Sequence, residues 1–211
     1  MGNKTDTPKT VNRHLLHITK ELVYALIGGI IISVVCQAFF FKPFVIPSAS
    51  MEPTLLVGDT VIVNRQTYNL TPISRGDVIV FEDENDWMEN DGSNKRLGFI
   101  EFVTSNIGLT QTFYKDYFTK RVIGLPGDVV YSGPKGRIYV NGKVLNEEYL
   151  APGVIPANTH FNVVVPKDKL WVMGDNRSIS ADSLYYSSHH KDGFISIDSV
   201  VGKVVFVSPS L

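Results

Sequence analysis

The feature that most limits what this chain can fold into is the uncharged run Leu22–Phe41. It holds 20 residues without Asp, Glu, Lys or Arg, and only Ser33, Cys36 and Gln37 are even mildly polar. As a helix it spans about 30 Å, the thickness of a bilayer's hydrocarbon core. A buried helix of a soluble protein would normally keep one polar face, and this run has none. The pattern predicts a transmembrane helix over residues 21–42. A cleavable leader would have a shorter apolar core with small residues at the cut, whereas this core ends in Phe39, Phe40 and Phe41. A lipoprotein site at Cys36 would follow a small residue, and Val35 is bulky. Lys4, Lys9, Arg13 and Lys20 stand against Asp6 alone in residues 1–20, so this tail is expected in the cytoplasm and residues 43–211 outside it. The aromatic trio and Lys42 suit an anchoring belt at the outer interface.

The remaining composition excludes several classes. A net charge of −1 gives no reason to expect nucleic acid as a partner. Cys36 is the single cysteine, which rules out an intrachain disulfide. With no cysteine outside the span, a structural zinc site is not expected, and neither is any cofactor or metal. An apolar fraction of 44% is enough for a folded core.

Beyond Asp59 the pattern becomes strand-like. Thr60–Asn64, Val78–Phe81, Phe99–Thr104 and Gln111–Ile123 are rich in β-branched and aromatic residues. Arg75-Gly76-Asp77 reads as a turn, and residues 105–110 as the bend of a hairpin. The polar stretch Glu82–Arg96 reads as an exposed loop carrying a small surface anchor at Trp87-Met88. Asn141-Gly142, between Arg137–Val140 and Lys143–Leu145, predicts a type I′ hairpin. Phe161–Val165, Leu170–Met173 and Val200–Val207 complete the set, with no useful helical period after Phe41. The expected fold is mainly β: an N-terminal span followed by a β-rich, barrel-like domain, with residues 131–167 as a small inserted β lobe.

Three stretches carry candidate chemistry. The first is Pro47-Ser48-Ala49-Ser50-Met51-Glu52-Pro53. Each proline fixes its own φ and biases its predecessor toward extended backbone, a stiff setting suited to placing a nucleophile. Alone, the stretch reads as a linker between span and domain. The second is Phe118-Thr119-Lys120-Arg121-Val122. Alternation puts Phe118, Lys120 and Val122 on one strand face and Arg121 on the other. Burial among apolar neighbours would disfavour the ammonium and produce a neutral, basic lysine. Alone, Lys120-Arg121 reads as a charged pair on an exposed strand. The third is Gly174-Asp175-Asn176-Arg177-Ser178-Ile179-Ser180-Ala181-Asp182. A serine needs a base to become nucleophilic. The exterior histidines His160, His189 and His190 stand in no recognisable catalytic setting, and His189-His190 reads as a solvated pair.

In this order behind an N-terminal span, the three stretches resemble the type I signal peptidases, the serine–lysine bacterial leader peptidases, in their short single-span Gram-positive form. The resemblance covers most of residues 43–205. It implies that Ser50 is the nucleophile and Lys120 the general base, and that Ser48 donates to the oxyanion hole with the Ser50 N–H. It also implies that Ser180 orients Lys120 and that Asp182 supports the site by ion pairing, with Arg121 as its partner. Gly174–Arg177 match a family signature read here as a turn-forming scaffold. Phe44, Ile46, Met51, Leu55, Val61 and Phe118 match substrate-binding positions. The chain departs from the pattern at Leu184, where the family usually has arginine, and in the extra length of Ser187–Asp192.

The expected function is removal of N-terminal signal peptides from exported preproteins, cutting after small residues at −1 and −3. The expected partners are those signal peptides, the lipid bilayer and the neighbourhood of the protein-export channel. The domain base, including Phe44, Val45 and part of the Trp87 loop, is expected to meet lipid. The competing reading is a non-catalytic, membrane-anchored β-domain acting as an extracytoplasmic binding module. A soluble, self-cleaving serine–lysine regulator shares the chemistry but conflicts with the span.

Overall fold

The structure, a computed structural model, describes residues 8–65, 72–84, 87, 117–189 and 192–210, with side chains in the long helix described over 17–34. The predicted strand Phe99–Thr104, the hairpin bend at 105–110, the start of the predicted strand 111–123, most of the 82–96 loop and His190 lie outside the described residues.

Helix α1 runs Pro8–Phe39, about 48 Å at helical rise. It starts well before the expected span and ends before it. Phe41 and Lys42, expected to close the span, instead open strand β1 (Phe41–Val45). Within α1, His17–Val34 has a mean hydropathy of 1.5 and none of it is buried in the protein. An apolar helix with no face covered by its own chain is suited to lipid.

Ten further strands follow: β2 (Thr60–Asn64), β3 (Val78–Glu82), β4 (Tyr117–Gly124), β5 (Val129–Ser132), β6 (Ile138–Val140), β7 (Lys143–Val144), β8 (Asn162–Val164), β9 (Lys169–Met173), β10 (Ile195–Ser196) and β11 (Val200–Ser208). They form a seven-stranded sheet of order β1-β2-β11-β3-β4-β9-β10 and a four-stranded sheet of order β7-β6-β5-β8. The described strands confirm the mainly-β expectation. The smaller sheet lies in the stretch where the sequence suggests an inserted lobe. Its β6–β7 turn has Asn141 at φ 51° and Gly142 at φ 79°, the two positive values that a type I′ turn requires.

Three apolar clusters hold these layers. Phe44, Ile46, Met51, Leu55, Val61, Val63 and Val80 pack on the β1–β2 side. Ile79, Phe81, Trp87, Val122, Leu170, Val172 and Tyr186 pack around β3, β4 and β9. Ile123, Val130, Ile138, Trp171, Met173 and Leu184 join the large sheet to the small one.

Two expectations are corrected here. Trp87 is no surface anchor: it is 4% exposed, stacks on Tyr186 at 4.4 Å and donates its indole N–H to Asp192 O at 3.1 Å. Phe44 likewise belongs to the core rather than to a lipid-facing base. A short helix, α2 (Ser183–Ser188), also occupies part of the segment read as extra length. It is too short to show a period, and its N-cap is Asp182.

Candidate active site

The loop from Pro47 to Gly58 is closed at its base by two backbone bonds, Ile46 N–H to Asp59 O (2.8 Å) and Gly58 N–H to Ile46 O (2.9 Å). Met51 and Leu55, each 1% exposed, anchor it in the core. Burial of such side chains contributes about 1.5–3 kcal/mol apiece. Within the loop the chain makes one 3-10 turn, Ala49–Met51, with Ser48 at its N-cap position. The Ser48 hydroxyl does not cap that turn; it donates toward Ser50 Oγ at 3.4 Å.

Lys120 enters from β4, in the interior of the large sheet, opposite Ile79 of β3. The predicted alternation holds: Val122 and Phe118 pack into one cluster, and Lys120 Nζ lies 5.8 Å from the centre of the Phe118 ring. Lys120 is 3% exposed and donates to Ser50 Oγ at 2.7 Å. Its burial lowers its pKa from 10.5 to about 8, against an opposing pull from Asp182 and Asp175. Losing water penalises the ammonium, so the neutral amine becomes accessible near neutral pH.

Asp182 is buried, and burial raises its pKa while the Gly174 N–H and Lys120 oppose that rise. Its oxygens accept the N–H groups of Gly174 (3.0 Å) and Leu184 (3.1 Å), tying α2 to the loop beside Ser50. The expected pairing of Asp182 with Arg121 is not made. Arg121 binds Asp175 through Nε at 2.8 Å and Nη2 at 2.5 Å, and Asp175 also accepts the Thr54 hydroxyl. The reason is directional: Arg121 and Lys120 point to opposite faces of β4, and Asp182 lies on the lysine's side. The role read as turn-forming for Asp175 is thus incomplete. A signal was present, because an aspartate in the third stretch could have served the Arg beside Lys120 as well as Asp182 could.

The Ser180 hydroxyl is buried and has no hydrogen-bond partner among the described residues, so the bond to Lys120 that the resemblance implies is not formed here. Five of the expected substrate-binding residues, Phe44, Ile46, Met51, Leu55 and Val61, form one buried cluster. Phe118 packs separately, against Phe81 at 5.6 Å. Leu184, at the position of the expected arginine, fills an apolar cluster instead.

Gly174 fits closely against the main chain of Ser50. A Cβ there would sit 2.5 Å from Ser50 O and would also strike the Ser180 hydroxyl. Gly174→Ala is expected to displace Ser50 and lower cleavage roughly 10–100-fold, measured by initial rates on a precursor. Activity within twofold of the parent would show that this close packing is unnecessary.

Comparison with known proteins identifies the family. The family model described as "Signal peptidase, peptidase S26" matches residues 19–208. The chain is 33% identical to a probable signal peptidase I-2 of Synechocystis sp. over 183 residues, covering 87% of this chain and 70% of that protein. It is 32% identical to signal peptidase I of Mycobacterium tuberculosis, covering 95% and 74%, and 34% identical to signal peptidase I of Bacillus caldolyticus, covering 81% and 80%. The chain belongs to the peptidase S26 family, among the bacterial type I signal peptidases.

Proposed function

We propose that this chain removes signal peptides from preproteins with Ser50 as nucleophile and Lys120 as general base, cutting after small residues at −1 and −3. The observation that carries the reading is the 2.7 Å contact between a buried amine and the Ser50 hydroxyl. Neutral Lys120 takes the Ser50 proton as Oγ attacks the scissile carbonyl. The developing oxyanion accepts bonds from the Ser48 hydroxyl and the Ser50 N–H, each worth about 3 kcal/mol in such sites. Lys120 then gives its proton to the departing amine as the C–N bond breaks, leaving an ester on Ser50. A water passes a proton to Lys120 and attacks that ester; the ester bond breaks and the proton returns to Ser50.

The charge of Asp182 acts on the lysine's amine, the buried Ser180 hydroxyl is the group proposed to orient that amine during the reaction, and Arg121 holds the loop through Asp175. The residues Phe44, Ile46, Met51, Leu55 and Val61, packed in one cluster, and Phe118 are proposed to back shallow subsites for the −1 and −3 side chains. A larger substrate side chain would overpack them at about 1–3 kcal/mol. The proposed setting is a single-pass cell-membrane protein, with residues 17–34 of α1 in lipid, the N-terminus in the cytoplasm, and the β-domain outside near the export channel. Phe40 and Phe41, 46% and 44% exposed, stand where α1 gives way to β1 and suit the interface.

The test is incubation of the full chain in detergent with a precursor whose signal ends Ala-x-Ala, alongside a version with Trp at −1. Cleavage of the first and not the second is expected. No cleavage of either would favour the non-catalytic anchored domain. The same assay across pH tests the base. Below about pH 8 Lys120 is protonated and cannot accept the Ser50 proton, so kcat/KM should fall about tenfold per pH unit well below that value and level off above it. A flat profile from pH 5 to 9 would remove Lys120 from the role.

A further inference from the structure

Tyr149 lies in the loop after β7, outside either sheet and far from Ser50 in sequence. Its ring covers one face of the Arg121 guanidinium at 4.0 Å. Its hydroxyl donates to Glu147 Oε1 at 2.9 Å and accepts from Arg177 Nη2 at 3.3 Å. Tyr149 therefore touches both arginines that grip the loop 174–177. Arg121 grips it through Asp175. Arg177 grips it through its own Nε, which donates to Gly174 O at 3.0 Å, while its Nη1 reaches Pro156 O at 2.6 Å and Nη2 forms a buried ion pair with Glu147. That loop meets the nucleophile directly, because the Asn176 N–H donates to Ser50 O at 3.0 Å.

We infer that Tyr149, on the lobe that carries the small sheet, is a positioning residue for Ser50, acting through Arg121 and Arg177 on the loop 174–177. The inference rests on the reading of Ser50 as nucleophile. A guanidinium stacked on an aromatic ring keeps one orientation, and Arg121 in that orientation meets Asp175 with two parallel bonds. Without the ring, Arg121 gains freedom to tilt, the Asp175 carboxylate follows, and the Asn176–Ser50 bond loosens. A shift of about 1 Å at a nucleophile costs on the order of 100-fold in rate. The bound substrate does not touch Tyr149 in this scheme, so affinity should barely change. Burial and the Glu147 carboxylate hold the Tyr149 hydroxyl protonated well above its ordinary range, which keeps it a donor at every pH of interest.

The experiment compares full-length parent, Tyr149→Phe, Tyr149→Ala and Ser50→Ala on the same precursor, with melting temperatures for each. Tyr149→Ala is expected to lower kcat about 10–100-fold with KM within about threefold. Tyr149→Phe keeps the stacked ring and is expected to recover most of that loss. The inference is overturned if Tyr149→Ala cleaves within twofold of the parent, if the loss falls on KM, or if Tyr149→Phe fails as badly as Tyr149→Ala while staying folded. An inactive parent, or an active Ser50→Ala, would instead overturn the reading of Ser50 itself.

Discussion

Ser50→Ala and Lys120→Met are each expected to reduce precursor cleavage by roughly 10⁴-fold or more while the domain stays folded. The size follows from the way the two groups act as a unit: loss of either one removes the route for the serine's proton, so the single variants resemble the double. Stability should hardly move. Ser50 is half-buried and its hydroxyl bonds only Lys120 and Ser48 among the described partners, so Ala costs about 1 kcal/mol. Methionine keeps most of the apolar stem of Lys120 while removing the buried amine, and Asp182, which loses that charge, still accepts the N–H groups of Gly174 and Leu184. Rates from precursor cleavage, read beside thermal melts, decide the matter. Either variant cleaving within tenfold of the parent would remove that residue from the mechanism, and a collapse in melting temperature would move the loss from chemistry to folding.

Asp175→Ala is expected to have the largest effect on stability. Asp175 is 1% exposed and accepts from two donors on one edge of the Arg121 guanidinium and from the Thr54 hydroxyl. Its removal strands a largely buried cation, which costs about 3 kcal/mol or more. For a chain of this size that is a fall of roughly 6–12 °C in Tm. Cleavage should fall as well, because the same loop holds Ser50 O through Asn176. A second substitution separates the causes. Arg121→Met added to Asp175→Ala removes the stranded charge, so the double variant should be more stable than Asp175→Ala alone. Simple additivity of the two losses in a thermal melt would mean that the pair is not coupled and that the bidentate geometry has little energetic weight.

The sequence made the apolar N-terminal helix, the strand-rich domain and the Ser50–Lys120 pairing legible for distinct reasons. Leu22–Phe41 excludes charge over a membrane's width, Asn141-Gly142 has few alternatives to a tight hairpin, and β4 alternates cleanly enough to orient Lys120. What was hidden is short or depends on distant partners. Strand β1 carries Lys42 and Pro43 and continues directly from the apolar run, so nothing marks its start. Strand β10 has two residues and α2 six, below the length at which a period can be read. Trp87 sits in a polar stretch, and its stacking partner Tyr186 comes almost a hundred positions later. The partner of Arg121 had two candidates in one segment, Asp175 and Asp182. Strand sidedness decides between them only once β9 is known to lie beside β4.

The position of β11 governs when this molecule can become active. It lies between β2, which follows the Ser50 loop, and β3, which flanks Lys120's strand. Within the large sheet, the strands beside the hydroxyl and the strands beside the amine are therefore joined through residues 200–208, the last strand to be synthesised among those described. A nascent polypeptide that has not yet released that segment would hold Ser50 and Lys120 on strands that its large sheet does not yet join, so on the proposed reading proteolytic competence should arrive late in synthesis.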